Sequence, residues 1–168
     1  GAARNVELYF EVADATSAPA LGDPAVRSQS KTMTDVERLT QISTGTSQDP
    51  DLYQLTIAEA AESGLPTVIV MASPAFCTNA VCGPQVEVLQ QLKDEFKDQA
   101  NFIHVDFYDN PEEIQGDLDR AALSPTVLEW NLPSTEWSFV VDRDGIVTGR
   151  FESFVPLEEL RIALKEVL

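Results

Sequence analysis

The sequence holds 168 residues, 43% of them hydrophobic, which suits one globular core with an extension rather than two full domains. Its 28 acidic residues against 11 basic ones leave a net charge of −17, a field that repels phosphate backbones and anionic lipid surfaces. Nucleic acid is therefore not an expected partner, and the longest apolar run, Thr67-Val68-Ile69-Val70-Met71-Ala72, is far short of the about 20 residues that span a bilayer.

In chain order, Val6, Leu8, Phe10 and Val12 alternate with Glu7 and Glu11, a pattern that predicts a half-buried strand. Residues 14–50 are rich in Ser, Thr, Pro, Ala and Gly and are expected as loop, with one short helical candidate over 34–39. Residues 1–54 thus read as an N-terminal extension or the tail of an upstream domain, and 55–168 as the principal domain. Thr56 and Glu59 have the spacing of a capping box, and Gly64-Leu65-Pro66 ends the short helix they open. The β-branched run from Thr67 follows as a strand buried on both faces. Val86, Leu89, Leu92 and Phe96 recur at helical spacing and predict an amphipathic helix over 84–98. A strand over 101–108 and a helix over 111–122 come next, then a short helix opened by Ser124-Pro125 and reaching Trp130. Strands over 137–141 and 146–151 flank the turn Asp142-Arg143-Asp144-Gly145, and a helix over 156–168 closes the chain with Leu157, Leu160, Leu164 and Val167 on one side. A crossover between the first two strands of the principal domain requires parallel pairing, so the expected fold is α/β, a small mixed sheet covered by helices.

The only two cysteines, Cys77 and Cys82, are separated by four residues between the first strand and the long helix. Such a pair suits a disulfide, a reactive dithiol or half of a metal site. Across a continuous helix the two sulfurs would point to different faces, so closing a disulfide requires residues 78–81 to turn. Gly83-Pro84 permits this, since proline favours the first turn of a helix that begins after Cys82. At that position the helix dipole and free N–H groups stabilise a thiolate. Cys77, nearer the loop, is then the expected nucleophile and Cys82 the resolving thiol. An inert staple that pins the loop fits the same geometry.

From Thr67 through Ser73-Pro74-Ala75-Phe76-Cys77, the helix after Cys82-Gly83-Pro84 and the hairpin Phe139-Val140-Val141-Asp142-Arg143-Asp144-Gly145, the chain resembles thioredoxin-fold proteins. It is similar in particular to bacterial envelope thioredoxin-like domains whose cysteines are four residues apart. The resemblance implies a thiol-disulfide oxidoreductase acting on protein thiols and disulfides, with no cofactor and no metal, and with an unspecified redox partner. It also implies an extracytoplasmic location, which needs a leader or anchor beyond this sequence. Client docking would fall to Pro74 and Phe76 beside the first cysteine and to Glu136 and Trp137 opposite it. Phe76 replaces the tryptophan of thioredoxins, Met71 stands where they keep a buried acid, and Glu136 takes the slot of their cis-proline. Those departures favour the alternative, a binding or assembly module of the same fold with a structural disulfide.

A copper carrier of the Sco type also places two cysteines at this helix start, but three residues apart and with a distant histidine. The single histidine here, His104, lies in the strand over 101–108, where a buried or edge role is expected. Asp106, Asp109, Glu112 and Glu113 are expected to form a solvated acidic face.

Overall fold

The computed structural model describes residues 9, 12, 14–76 and 82–168. The strand expected over 6–12 therefore falls almost wholly outside the described residues, as does Cys77.

Helix α1 (Ile57–Glu62) is opened by the anticipated reciprocal cap: the Thr56 hydroxyl accepts from the Glu59 N–H at 3.0 Å, and the Glu59 carboxylate accepts from the Thr56 N–H at 2.8 Å. Gly64, at a φ of +74°, takes the left-handed turn that ends it. Strand β1 (Thr67–Ala72) is buried at all six positions and lies at the centre of a four-stranded sheet. It pairs in parallel with β2 (Asn101–Val105) and antiparallel with β3 (Glu136–Val141), which in turn pairs antiparallel with β4 (Val147–Glu152). The order across the sheet is β2-β1-β3-β4.

Alternation along β1 divides the core into two layers. Val68, Val70 and Ala72 pack with Cys82, Val86, Leu89 and Leu92 of α2 (Cys82–Phe96) and with Leu160 and Leu164 of α5 (Leu157–Lys165). Ile69 and Met71 pack on the other face with Ile57 and Ala60 of α1, Val127 of α4 (Pro125–Glu129), and Trp130, Trp137 and Phe139. The hairpin turn forms at the expected place: the Asp142 carboxylate accepts from the N–H groups of Asp144 and Ile146, each at 2.9 Å, and Gly145 has a φ of +80°.

Three elements differ from the sequence expectation. The long helix begins at Cys82 rather than after it, and Pro84 is accommodated in the first turn, where its missing N–H breaks no hydrogen bond. The helix expected over 111–122 shrinks to α3 (Pro111–Ile114), because Gln115 and Gly116 turn left-handed at φ +48° and +83° and Leu118 finds no core, remaining 51% exposed. The helical candidate over 34–39 becomes a 3-10 turn at Leu39–Gln41.

The stretch expected as an extension lies directly on the sheet. Ile42, Leu52 and Tyr53 complete the α2-side layer, and Ala18 and Ala25 the other. Pro24 bridges Ile146, the Ser28 hydroxyl accepts from the Trp130 indole N–H at 3.2 Å, and Lys93 of α2 reaches Asp49 at 2.8 Å and Asp51 at 3.2 Å.

Candidate functional site

The chain leaves β1 at Ala72 and turns through residues 73–76, with the Phe76 N–H donating to the Ser73 carbonyl at 3.2 Å. Cys82 is the first residue of α2 and is 0% exposed, in the core layer that holds Val68, Val70, Ala72 and Val86. The two ends of this connection are close: a methyl group built on Gly83 would lie 4.0 Å from the Pro74 carbonyl oxygen. A groove beside them is lined by Thr44, Gly45, Pro74, Ala75, Gly83 and Val86.

Of the expected docking residues, Pro74 and Phe76 are partly exposed at this groove and the surface next to it, and the Phe76 ring meets Tyr108 edge-on at 6.2 Å between centroids. Glu136 and Trp137 are not at the surface; each is 2% exposed. Glu136 sits opposite Ala72 in the ladder, on the face that carries Cys82. The Thr135–Glu136 bond is trans, since no cis peptide occurs among the described residues. Trp137 points the other way, into the opposite layer, where its indole N–H donates to the Ser134 hydroxyl at 3.0 Å, its ring stacks on Phe139, and Arg150 covers it at 4.8 Å.

Below residues 73–76 lies a buried polar group, of which the sequence pattern anticipated the buried or edge role of His104 but not the burial of Asp106. His104 is 1% exposed, and its Nε2 is 3.0 Å from the Ala72 carbonyl. A carbonyl only accepts, so Nε2 carries the proton and Nδ1 accepts from the Tyr53 hydroxyl at 2.5 Å. Burial holds the imidazole below its ordinary pKa and pushes the Tyr53 phenol up. With both nitrogens engaged inside the core, His104 is not placed as a metal ligand. Asp106, expected on a solvated face, is 4% exposed. Its Oδ2 accepts from the Thr44 N–H at 2.7 Å and the Thr44 hydroxyl at 2.8 Å, and its Oδ1 accepts from the Tyr108 N–H at 3.1 Å. Burial nonetheless raises its pKa. The remaining acids of that group are nearer the surface, where Asp109 pairs with Lys31 and Glu112 with Arg38. One signal could have found Asp106: Phe102, His104 and Asp106 share a parity, so a strand whose Phe102 faces the core carries the other two inward as well.

A central parallel pair, an antiparallel hairpin and the long helix that follows the first strand define a thioredoxin-like fold. A thiol:disulfide interchange protein of the thioredoxin family from Chlorobium tepidum TLS superposes with a TM-score of 0.52 at 13% identity, over 92% of this chain and 99% of that one. A thioredoxin-like protein solved in its oxidized form superposes with a TM-score of 0.53 at 14% identity, over 77% of this chain and 97% of that one. The copper-bound ScoI of Bradyrhizobium japonicum reaches only 0.44 at 17% identity, covering 69% of this chain and 92% of that one, too distant a likeness to bear on copper here. No protein-family model and no curated protein sequence matches the chain.

Proposed function

We propose that this chain is an extracytoplasmic thiol-disulfide oxidoreductase in which Cys77 is the nucleophile and Cys82 the resolving thiol. The observation that carries this reading is the position of Cys82, fully buried at the first residue of α2, directly across from the loop that leaves the central strand of a thioredoxin-like sheet. In the reducing direction the Cys77 thiolate attacks a client disulfide, forming a mixed disulfide and releasing one client thiolate, which takes a proton. The Cys82 thiolate then attacks the Cys77 sulfur. The products are a Cys77–Cys82 disulfide and a client with two thiols, so two electrons pass from the pair to the client. Clients on this reading are proteins that dock at the partly exposed Pro74 and Phe76.

Equilibration of the purified chain with dithiol and disulfide buffers tests the reading. An exchanging pair has a reduction potential above the roughly −300 mV below which structural disulfides lie. A lower value favours the second reading, a binding or assembly module with a structural bridge. That alternative has its own support: Trp137 is turned into the opposite layer, and Glu136 occupies the docking slot as a buried, trans-linked residue.

A further inference from the structure

Residues 43–47, from the stretch that precedes the principal domain in sequence, lie against the loop that leads to Cys77. Gly45 approaches Pro74 so closely that a methyl group on it would sit 3.3 Å from the proline Cγ. Within this contact one hydroxyl group makes three hydrogen bonds. Thr44 Oγ1 lies 2.8 Å from Asp106 Oδ2, 3.0 Å from Ser73 Oγ and 3.2 Å from the Ala75 nitrogen. Proton accounting fixes the directions. A hydroxyl has one hydrogen and two lone pairs, and a carboxylate only accepts, so Thr44 donates to Asp106. It then accepts from the Ala75 N–H and from the Ser73 O–H. The carboxylate is itself held by the Thr44 and Tyr108 N–H groups inside the core. Asp106 therefore orients Thr44, and Thr44 holds Ser73 and Ala75 in the loop that follows β1.

We infer that Thr44, oriented by Asp106, is a positioning residue for the cysteine site: it fixes residues 73–75, so that a segment ahead of α1 in sequence sets the reactivity of Cys77. This rests on the proposed role of Cys77 as the nucleophile. Valine at 44 keeps the shape of threonine but leaves the Ala75 N–H, the Ser73 O–H and one Asp106 lone pair without their partner. Serine keeps all three bonds.

The test uses the full chain after reduction, with the rate of Cys77 carbamidomethylation by iodoacetamide followed by peptide mapping at one pH for wild type, Thr44→Val and Thr44→Ser. Thr44→Val lowers the Cys77 rate by about fivefold, the factor that one hydrogen bond of about 1 kcal/mol corresponds to. Thr44→Ser restores the wild-type rate. A Thr44→Val protein that melts lower but keeps the wild-type rate, or equal loss in both variants, overturns the inference by showing a merely structural hydroxyl. Should Thr44→Val not fold, Ser73→Ala removes one bond of the same hydroxyl and is read the same way: a slower Cys77 supports the inference and an unchanged rate overturns it. The oxidoreductase reading fails separately, through the reduction potential of the wild-type pair, and the valine–serine contrast remains decisive in that case because it is measured on the reduced protein.

Discussion

Placing a carboxylate at Val68 tests the core that supports the whole site. Val68 is 0% exposed, the second residue of β1, and is flanked in the ladder by Phe102 on β2 and Val140 on β3, both buried. Val70 is a poorer choice, since His104 and Ser138 flank it and both can hydrogen-bond a carboxyl group. In Val68→Asp the lost apolar burial costs about 1.5–3 kcal/mol. A carboxyl with no partner there must fold protonated, and protonating an aspartate whose ordinary pKa is about 3.9 at about pH 7.5 costs roughly 5 kcal/mol, at about 1.4 kcal/mol per pH unit. The neutral acid leaves its polar atoms unsatisfied, for about 1–3 kcal/mol more. The sum, about 7.5–11 kcal/mol, is of the order of the entire stability of a domain this size. The folded pKa lies above the unfolded one, so the ionisation part vanishes below the unfolded value and grows as pH rises. Urea unfolding of Val68→Asp and Val68→Thr at about pH 7.5 and about pH 4.5 separates the charge from the loss of packing, because threonine does not titrate. The aspartate variant is expected to be largely unfolded at the higher pH and to close most of its gap to threonine at the lower. Equal midpoints at the higher pH, or a gap that does not narrow on acidification, would refute the assignment of β1 as a strand buried on both faces.

Three further outcomes follow from the geometry. The protein isolated in air is expected to take up no alkylating agent without prior reduction, because the connection between β1 and α2 brings its ends together; two alkylated thiols in the intact mass would contradict a bridged resting state. Tyr53→Phe removes the donor to His104 Nδ1 in the core and is expected to lower stability by about 1–3 kcal/mol in denaturant unfolding, and an unchanged midpoint would show that this hydrogen bond is not part of the folded state. The His104 ring is expected to stay neutral through the ordinary imidazole range near about 6.5, since burial lowers its pKa and stability contributed by the neutral ring is lost only as pH falls below that range; an NMR titration midpoint near about 6.5 would contradict the placement.

The elements with strong local signals were legible: the β-branched run of β1, the capping box at Thr56 and Glu59, the three- and four-residue spacing of α2, and the Asp142 turn. Each depends on interactions within a few residues. What could not be read depends on contacts made far along the chain. Residues 18–53 look like loop because they join the fold through hydroxyl groups and isolated apolar residues, such as Ser28 on Trp130, Thr44 on Asp106 and Tyr53 on His104, rather than through a periodic face. Asp106 looks solvated because its neighbours are acidic, yet its burial follows from a strand parity shared with Phe102. Of the candidate site, Cys82 stands at the first residue of α2, and Cys77 lies outside the described residues. Pro74 and Phe76 are partly exposed in the loop after β1, whereas Trp137 is committed to the opposite layer by its stacking on Phe139 and its bond to Ser134.

Trapping clients with single-cysteine variants tests the assignment of function most directly. Cys82→Ser and Cys77→Ser, incubated with a disulfide-bonded protein substrate and resolved without reductant, separate a two-step exchange from a stapled loop. Cys82→Ser is predicted to accumulate a mixed disulfide through Cys77, because the buried resolving thiol is gone, and Cys77→Ser is predicted to trap far less, because Cys82 is fully buried at the start of α2. Equal trapping by the two variants would contradict the order of attack. No trapping by either, with both variants destabilised alike, would contradict the oxidoreductase itself and leave the structural bridge.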